Sequence, residues 1–349
     1  MSVSLRSIFP PKPVLTEDNL PDQTGKTFIV TGSSSGIGAE LATILYQHNA
    51  KVYIAARSGS KARATIAAIK EQNPSSNGDL VFLHLDLNDL TTIKKSADEF
   101  LAKEHRLDIL WNNAGVMVPP QGSTTAQGYE LQIGTNNLAP FLFTHFLHPL
   151  LKETAKTASP NSVRVIWVSS SAAEAAPKPA IDFSNMDYHR EEGIWTKYMR
   201  SKAGNVLHGA EFARRTKGEG IISLVWRLQL SGLSMPRDAD QSEESQSWQP
   251  EDRSSAHDAM PSESGLRSYT LLWYPELCAK LVQNLITYPP INGAYTELFA
   301  GLDKSITQRN NGGWVAPFGR VQPLREDLLE PKLGGEYWEW TERQVIPYM

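Results

Sequence analysis

The chain has 349 residues, 40% of them hydrophobic, so it can form one large α/β domain with additions or two small domains, and we favour one. A formal net charge of −4 gives no electrostatic basis for binding nucleic acid or an anionic membrane. A single cysteine, Cys278, excludes an intrachain disulfide and a multi-cysteine metal site. No stretch approaches the roughly 20 apolar residues of a transmembrane span, so we expect a cytoplasmic protein.

Apolar, β-branched runs alternate with helical patterns along most of the chain. The predicted strands are 26–31, 51–56, 80–85, 107–112, 163–169, 220–226 and 294–300. The predicted helices are 36–48, 60–72, 90–104, 125–152, 196–217 and 275–287. This order predicts a doubly wound, Rossmann-type α/β fold, with a mainly seven-stranded parallel sheet and helices on both faces.

The two ends and one internal segment differ from this alternation. Residues 1–25 are rich in proline and polar residues and are predicted to form a surface arm. Between Ser231 and Ser268, 38 positions hold ten serines and eight acidic residues, so ordering this stretch would bury too little apolar surface. We therefore expect a disordered or aberrant insertion at 229–268 inside a domain spanning 26–305. Residues 306–349 are predicted to be an aromatic-rich tail packed on that domain.

A glycine-rich turn follows the first predicted strand. Gly32 can adopt a tight turn, Gly36 lets backbone N–H groups approach a pyrophosphate, and Gly38 allows the next helix to pack closely. By itself this pattern also fits a strand-to-helix turn with no ligand.

Charged residues at the ends of the next two strands bear on the choice of cofactor. The second strand ends at Arg57, with Lys61 and Arg63 soon after, whereas a carboxylate at this position would hold the ribose hydroxyls of NAD. The cations therefore favour NADP over NAD, unless Arg57 is simply a solvated surface charge. Asp86, after the third strand, could accept a hydrogen bond from an adenine amino group or could equally be a turn residue.

A tyrosine and a lysine four residues apart, Tyr198 and Lys202, give the most discriminating spacing. On a helix they share one face, so both side chains would enter the same pocket. A phenol has a reference pKa of about 10, and a neighbouring cation can lower it by roughly one to three units, into the range of proton transfer. The same pair could also occur by chance on an amphipathic helix.

Three serines, Ser169 to Ser171, end the fifth strand. One hydroxyl could hydrogen-bond a substrate carbonyl, and chemistry alone does not decide which one. None of these three serines is the central serine of a Gly-X-Ser-X-Gly motif, which would indicate a hydrolase.

With these features together, residues 24–228 and 270–302 resemble the classical short-chain dehydrogenases/reductases. The arm and the aromatic tail are most similar to the retinol-dehydrogenase-like branch found among fungal members. The resemblance implies that the cofactor site contains Gly32, Ser34, Gly36, Ile37, Gly38, Arg57, Lys61, Asp86, Leu87, Asn113, Ala114, Gly115, Tyr198 and Lys202. It selects Ser170, the second serine of Val-Ser-Ser, and Asn136, from Thr-Asn-X-Leu, with Asn137 as the alternative.

The resemblance also implies a mechanism. NADPH gives a hydride to a carbonyl carbon, Tyr198 protonates the oxygen, Ser170 orients it, and Lys202 binds the nicotinamide ribose and lowers the tyrosine pKa. Asn136 would hold a water in the proton relay. We expect reduction of a small lipophilic ketone or aldehyde, or the reverse oxidation of an alcohol, in secondary metabolism.

The chain departs from the family after the sixth strand. The family has a Pro-Gly turn there, whereas this chain continues as Val225-Trp-Arg-Leu-Gln-Leu-Ser231. The segment near 227–268 would replace the substrate lid, either as a lineage-specific insertion or as translated intron. The alternative function is therefore a catalytically impaired nucleotide-binding protein with a binding or regulatory role.

Three further expectations concern a related enzyme branch, a metal site and the oligomeric state. Sugar epimerases and dehydratases of the extended branch usually space their glycines as Gly-X-X-Gly-X-X-Gly, which this chain does not. His145 and His148 lack metal-ligand spacing with any acidic pair, so we expect no metal site. Family members often form a homodimer through the helices near 125–152 and 196–217, which makes a homodimer possible here.

Overall fold

The computed structural model describes residues 10–228 and 288–349. Its strands are β1 (Thr27–Thr31), β2 (Lys51–Ala56), β3 (Asp79–His84), β4 (Ile109–Asn112), β5 (Val163–Ser170), β6 (Ile221–Leu228), β7 (Trp314–Ala316) and β8 (Arg320–Gln322). They form one sheet in the order β3-β2-β1-β4-β5-β6-β7-β8. Strands β1 to β7 are parallel and β8 is antiparallel to β7. The predicted doubly wound fold is confirmed, with one antiparallel strand added at the edge.

Helices connect the strands. They are α1 (Gly36–Gln47), α2 (Gly59–Gln72), α3 (Leu90–Leu101), α4 (Ala139–Thr157), α5 (Ile194–Arg215), α6 (Pro290–Leu302) and α7 (Pro331–Val345). A helical turn, Leu131–Ile133, and a π-helical turn, Gly134–Leu138, lead directly into α4. The helix predicted at 125–152 therefore starts later, because the Glu130 side chain accepts hydrogen bonds from two backbone N–H groups and caps the first turn.

Both faces of the sheet are buried. Along β1, Phe28 and Val30 belong to one apolar cluster and Ile29 to the other, as the two-residue period of a strand requires. The helices cover both clusters, so the central strands carry continuous apolar runs rather than alternating ones. Because helices cover both faces of the sheet, polar site residues can gather at the carboxyl ends of the parallel strands.

The strand predicted at 294–300 is wrong, because these residues lie in helix α6. Pro290 occupies the first turn, where proline fits a helix. Every residue from Thr296 to Gly301 is buried, so this part of the helix has no exposed polar face to show a 3.6-residue period. A short apolar run of this kind cannot be assigned to strand or helix by periodicity alone.

The seventh parallel strand comes instead from the C-terminal segment. In β7, Trp314 pairs with Val225 and Val315 with Trp226, so the sheet continues past residue 305, where we placed the end of the domain. Helix α7 then packs on α5, where Tyr337 stacks on His208 with ring centroids 4.8 Å apart. The predicted helix 275–287, the insertion 229–268 and residues 1–9 of the arm lie outside the described residues.

A buried carboxyl group lies in α6. Glu297 is 0% exposed, and neither of its carboxyl oxygens has a hydrogen-bond partner within the residues that the structure describes. The Trp111 indole N–H reaches only the backbone oxygen of Glu297, at 3.1 Å. Burial raises the pKa of this carboxyl well above its usual range, which favours the protonated form.

Candidate active site

The glycine turn joins β1 to α1 at the carboxyl edge of the sheet. Gly32 and Gly36 have φ of +70° and +59°, in the left-handed region that favours glycine. A Cβ on Gly38 would lie 2.6 Å from the Asn113 side-chain nitrogen, so only glycine fits there without a shift. A Cβ on Gly36 would meet nothing within 4 Å. The turn is thus tightly packed from behind and open in front, as a phosphate-binding turn requires.

Polar contacts fix the ends of β1 and β4 to each other. The Asn113 side chain donates to the Thr31 carbonyl at 2.8 Å, and the Ala114 N–H donates to the Thr31 hydroxyl at 2.9 Å. Elsewhere in the turn, the Ser34 carbonyl accepts from the Thr65 hydroxyl at 2.9 Å. Ile37 lies against Gly293 of α6. Thr31, which the sequence analysis did not single out, therefore holds two of the predicted cofactor residues in place.

Exposed cations lie at the end of β2. Arg57 and Lys61 are exposed, and within residues 10–228 and 288–349 their side chains form no ion pair or hydrogen bond. Arg63 differs, because its guanidinium lies 5.7 Å from the Phe82 ring centroid. The first two side chains are thus available to an anionic group.

Asp86 and Leu87 follow β3. One Asp86 carboxylate oxygen accepts the Asn88 N–H at 2.9 Å, so Asp86 closes a local turn. Leu87 is buried and belongs to one of the apolar clusters. The turn interpretation of Asp86 is therefore present in the structure, and its contact with adenine stays a prediction.

Tyr198 and Ser170 meet at the carboxyl edge. Tyr198 is 1% exposed, and burial raises its pKa to about 12, while a hydrogen bond with the Ser170 side chain acts in the opposite direction. Ser169 is occupied elsewhere, because its hydroxyl donates to the Lys202 carbonyl at 2.7 Å. Of these two serines, it is Ser170 that lies beside the phenol.

Lys202 lies one turn after Tyr198 on α5, as the spacing predicts. Its ammonium donates to the Val168 carbonyl at 3.1 Å and is 5.8 Å from the Tyr198 ring centroid. Burial lowers the pKa of Lys202 to about 8. The predicted lowering of the tyrosine pKa is not the net outcome, because loss of solvation outweighs the favourable contacts of the phenolate.

The π-helical turn places two adjacent asparagines differently. Asn136 accepts the Val116 N–H at 2.8 Å and donates to the Val116 carbonyl at 2.9 Å. A Cβ on Gly115 would lie 3.0 Å from the Asn136 side-chain oxygen and 3.4 Å from the Lys202 ammonium nitrogen. Asn137 instead donates to the Ser201 carbonyl and the Asn205 side chain, at 2.8 and 2.6 Å. Asn136 is therefore the asparagine that adjoins Gly115, which in turn lies beside Lys202.

Comparisons with known proteins show which family the chain belongs to. Residues 26–181 match the short chain dehydrogenase family. A short-chain dehydrogenase/reductase of Emericella nidulans is 47% identical over 341 residues, covering 97% of this chain and 98% of that protein. The chain is a short-chain dehydrogenase/reductase.

Other similarities are consistent with this membership. A short-chain dehydrogenase/reductase of Phomopsis amygdali is 42% identical, covering 98% of this chain and 96% of that protein. An uncharacterized Mycobacterium paratuberculosis protein of known structure has a TM-score of 0.64 at 23% identity, with 95% and 97% of the two chains covered, and shows the fold alone. The two relatives are fungal, and neither is described as a retinol dehydrogenase.

Within residues 10–228 and 288–349, no group of three or more His, Cys, Asp or Glu side chains is arranged to hold a metal ion. Among the described helices, none combines the length and apolar character needed to cross a membrane.

The chain departs from the family pattern after β6, and only the first residues of this segment are among those the structure describes. The strand runs to Leu228, and the Arg227 guanidinium lies 4.0 Å from the Glu174 carboxylate, where the family pattern has a Pro-Gly turn. Glu174 belongs to the short helix that follows Ser170. The predicted lid replacement beyond Leu228 lies outside the described residues.

Sequence reasoning missed several supporting residues. The Ser201 hydroxyl donates to the Tyr198 carbonyl at 2.8 Å and accepts from Asn136 at 3.1 Å. Asn205 donates to the same Val168 carbonyl as Lys202, at 2.8 Å. Both could have been suspected from their helical spacing of three and seven residues from Tyr198, which places them near its face of α5.

Proposed function

We propose that this short-chain dehydrogenase/reductase transfers hydride between NADP(H) and a small lipophilic ketone, aldehyde or alcohol. The observation that carries the proposal is the meeting of Ser170, Tyr198 and Lys202 at the carboxyl edge of the sheet. When bound, the nicotinamide supplies or accepts the hydride.

The chain's own residues manage the proton and the orientation of the oxygen. With a pKa of about 12, Tyr198 holds its proton near neutrality and can donate it to the oxygen of a carbonyl that is being reduced. Ser170, beside the phenol, would hydrogen-bond that oxygen. Lys202, with a pKa of about 8, can exchange a proton near neutral pH and would contact the ribose. These properties favour reduction as the working direction.

The geometry of the glycine turn supports a dinucleotide cofactor. Open space in front of Gly36 and the start of α1 would hold the pyrophosphate, because backbone N–H groups at a helix start attract anions. Arg57 and Lys61, which lack partners among the described residues, would hold the 2′-phosphate of NADP. A cytoplasmic location, a role in fungal secondary metabolism and a homodimer stay predictions.

Cofactor binding and turnover test the proposal separately. We expect NADPH to bind the full chain at least tenfold more tightly than NADH in fluorescence titrations. Arg57→Ala combined with Lys61→Ala should remove most of this preference, whereas Lys95→Ala, an exposed lysine on α3, should leave it unchanged. Equal binding of NADPH and NADH by the unmodified chain would contradict the choice of cofactor.

Turnover distinguishes the enzyme from a binding protein. We expect NADPH oxidation with a panel of hydrophobic ketones and aldehydes, and its loss in Tyr198→Phe with NADPH binding retained. NADPH binding without turnover on any member of the panel would favour the catalytically impaired alternative.

A further inference from the structure

A large aromatic side chain borders the catalytic tyrosine. Trp195 lies in the first turn of α5, three residues before Tyr198, and their rings meet edge to face with centroids 6.1 Å apart and planes at 85°. Tyr198 is 1% exposed, whereas Trp195 is 48% exposed. The indole therefore touches the reacting phenol and still offers about half of its surface to another molecule.

A loop that begins beside Lys202 is linked by hydrogen bonds to the start of α5, next to Trp195. It begins at Gly115, beside the Lys202 ammonium, and continues through Val116, whose N–H and carbonyl are both held by Asn136. The Val118 N–H then donates to the Gln132 side-chain oxygen at 3.0 Å. The Gln132 side-chain nitrogen donates in turn to the carbonyl of Ile194, the neighbour of Trp195, at 3.2 Å.

The loop is held in a conformation that costs energy. Val118 has φ +49°, and a β-branched residue rarely adopts the left-handed region. Such strain persists only where the surroundings impose it, and it concentrates at ligand sites. Gln132, 0% exposed, is hydrogen-bonded here to both Val118 and Ile194. Residues 116–119 are all apolar and half-buried, so they keep apolar surface at the same edge.

We propose that Trp195 is a substrate-binding residue that selects planar, apolar carbonyl compounds such as aryl ketones. The inference rests on the proposed carbonyl reduction and adds the class of substrate. An indole gives a flat ring a large contact area at a small cost in side-chain entropy, and aromatic pairs gain further from their ring geometry. A flexible alkyl chain of equal carbon count has no such ring contact.

Two ketones of twelve carbons, 2-acetylnaphthalene and 2-dodecanone, test the selection. With NADPH, we expect the unmodified chain to show the higher kcat/KM for 2-acetylnaphthalene. Trp195→Ala should lower the ratio of the two kcat/KM values roughly two- to tenfold, mainly through KM, and Trp195→Phe should retain most of it. Phe183→Ala removes another exposed aromatic ring, one beside α7, and should leave the ratio unchanged. An unchanged ratio in Trp195→Ala overturns the inference while leaving carbonyl reduction intact.

A binding measurement separates this inference from the proposed function. Calorimetric titration of 2-acetylnaphthalene into the Tyr198→Phe chain with NADPH present requires no turnover. We expect the added Trp195→Ala change to weaken binding several-fold, with the NADPH affinity unchanged. If the unmodified chain reduces no carbonyl, the proposed function fails, and this titration alone decides the role of Trp195. Equal affinity for 2-acetylnaphthalene with and without the indole overturns the proposed role of Trp195.

Discussion

Replacing Glu297 by glutamine should change how the stability of the fold depends on pH. The carboxyl is 0% exposed, both oxygens lack partners among the described residues, and burial raises its pKa. In the unfolded chain a glutamate titrates near a pKa of about 4.3. Between that value and the raised native pKa, the folded state keeps a proton that the unfolded state has lost. The free energy of unfolding therefore falls as pH rises through this range.

The slope follows from the single proton. While the native pKa lies above the pH, this group changes the unfolding equilibrium constant tenfold, or about 1.4 kcal/mol, for each pH unit. Glutamine has the same size and does not titrate, so Glu297→Gln removes this contribution. The variant buries an amide instead, whose cost is independent of pH. Its stability relative to the unmodified chain should therefore improve steadily with increasing pH.

Urea unfolding at pH 5.5, 6.5, 7.5 and 8.5 measures this difference. Glu326→Gln is the matched control, because Glu326 is an exposed glutamate in the C-terminal segment, and its substitution should give a nearly constant difference. A constant difference for Glu297→Gln over the whole range would refute the reasoning, since it would show that the carboxyl is ionised or hydrated in the fold.

Three further substitutions test the site and its support. Gly38→Ala would place a Cβ 2.6 Å from the Asn113 nitrogen, so the NADPH affinity should fall at least tenfold in a fluorescence titration, and an unchanged affinity would contradict the fit. Tyr198→Phe should lower kcat roughly 10²- to 10⁴-fold without changing the dissociation constant of NADPH, and retained turnover would exclude Tyr198 as the acid. Tyr337→Phe removes a buried hydroxyl without a partner among the described residues, so thermal unfolding should show equal or higher stability, by about 1 kcal/mol. A clear loss there would mean that the hydroxyl is satisfied.

Local spacing predicted the elements that hold the site. Strands β1 to β6 and helices α1, α2, α3 and α5 lie within three residues of their predicted bounds. Tyr198 and Lys202 share a face because four residues make slightly more than one helical turn, and no distant contact is needed for that. The glycine turn is equally local, since the positive φ of Gly32 and Gly36 favours glycine whatever surrounds it.

Features that depend on distant packing were not predictable. Helix α6 looked like a strand because residues 296–301 are all buried, which removes from this part the exposed polar face that would mark a helix. The pKa of Tyr198 rises because the whole pocket excludes water, and a pairwise argument from Lys202 cannot include that. Likewise, only the fold shows that Ser169 is used by a backbone carbonyl and that Ser170 is the serine beside the phenol.

The position of β7 late in the sequence affects folding during synthesis and the consequence of a C-terminal truncation. Every predicted site residue precedes residue 203, yet the strand that covers the edge of β6 is residues 314–316. During synthesis on the ribosome, all residues of the predicted site can therefore emerge long before β7 is available to the sheet. A chain ending near residue 305 would keep every predicted site residue, but the N–H and C=O groups on the edge of β6 that faces β7 would be unpaired. Such an open edge invites pairing with other chains, so loss of this segment should first appear as aggregation.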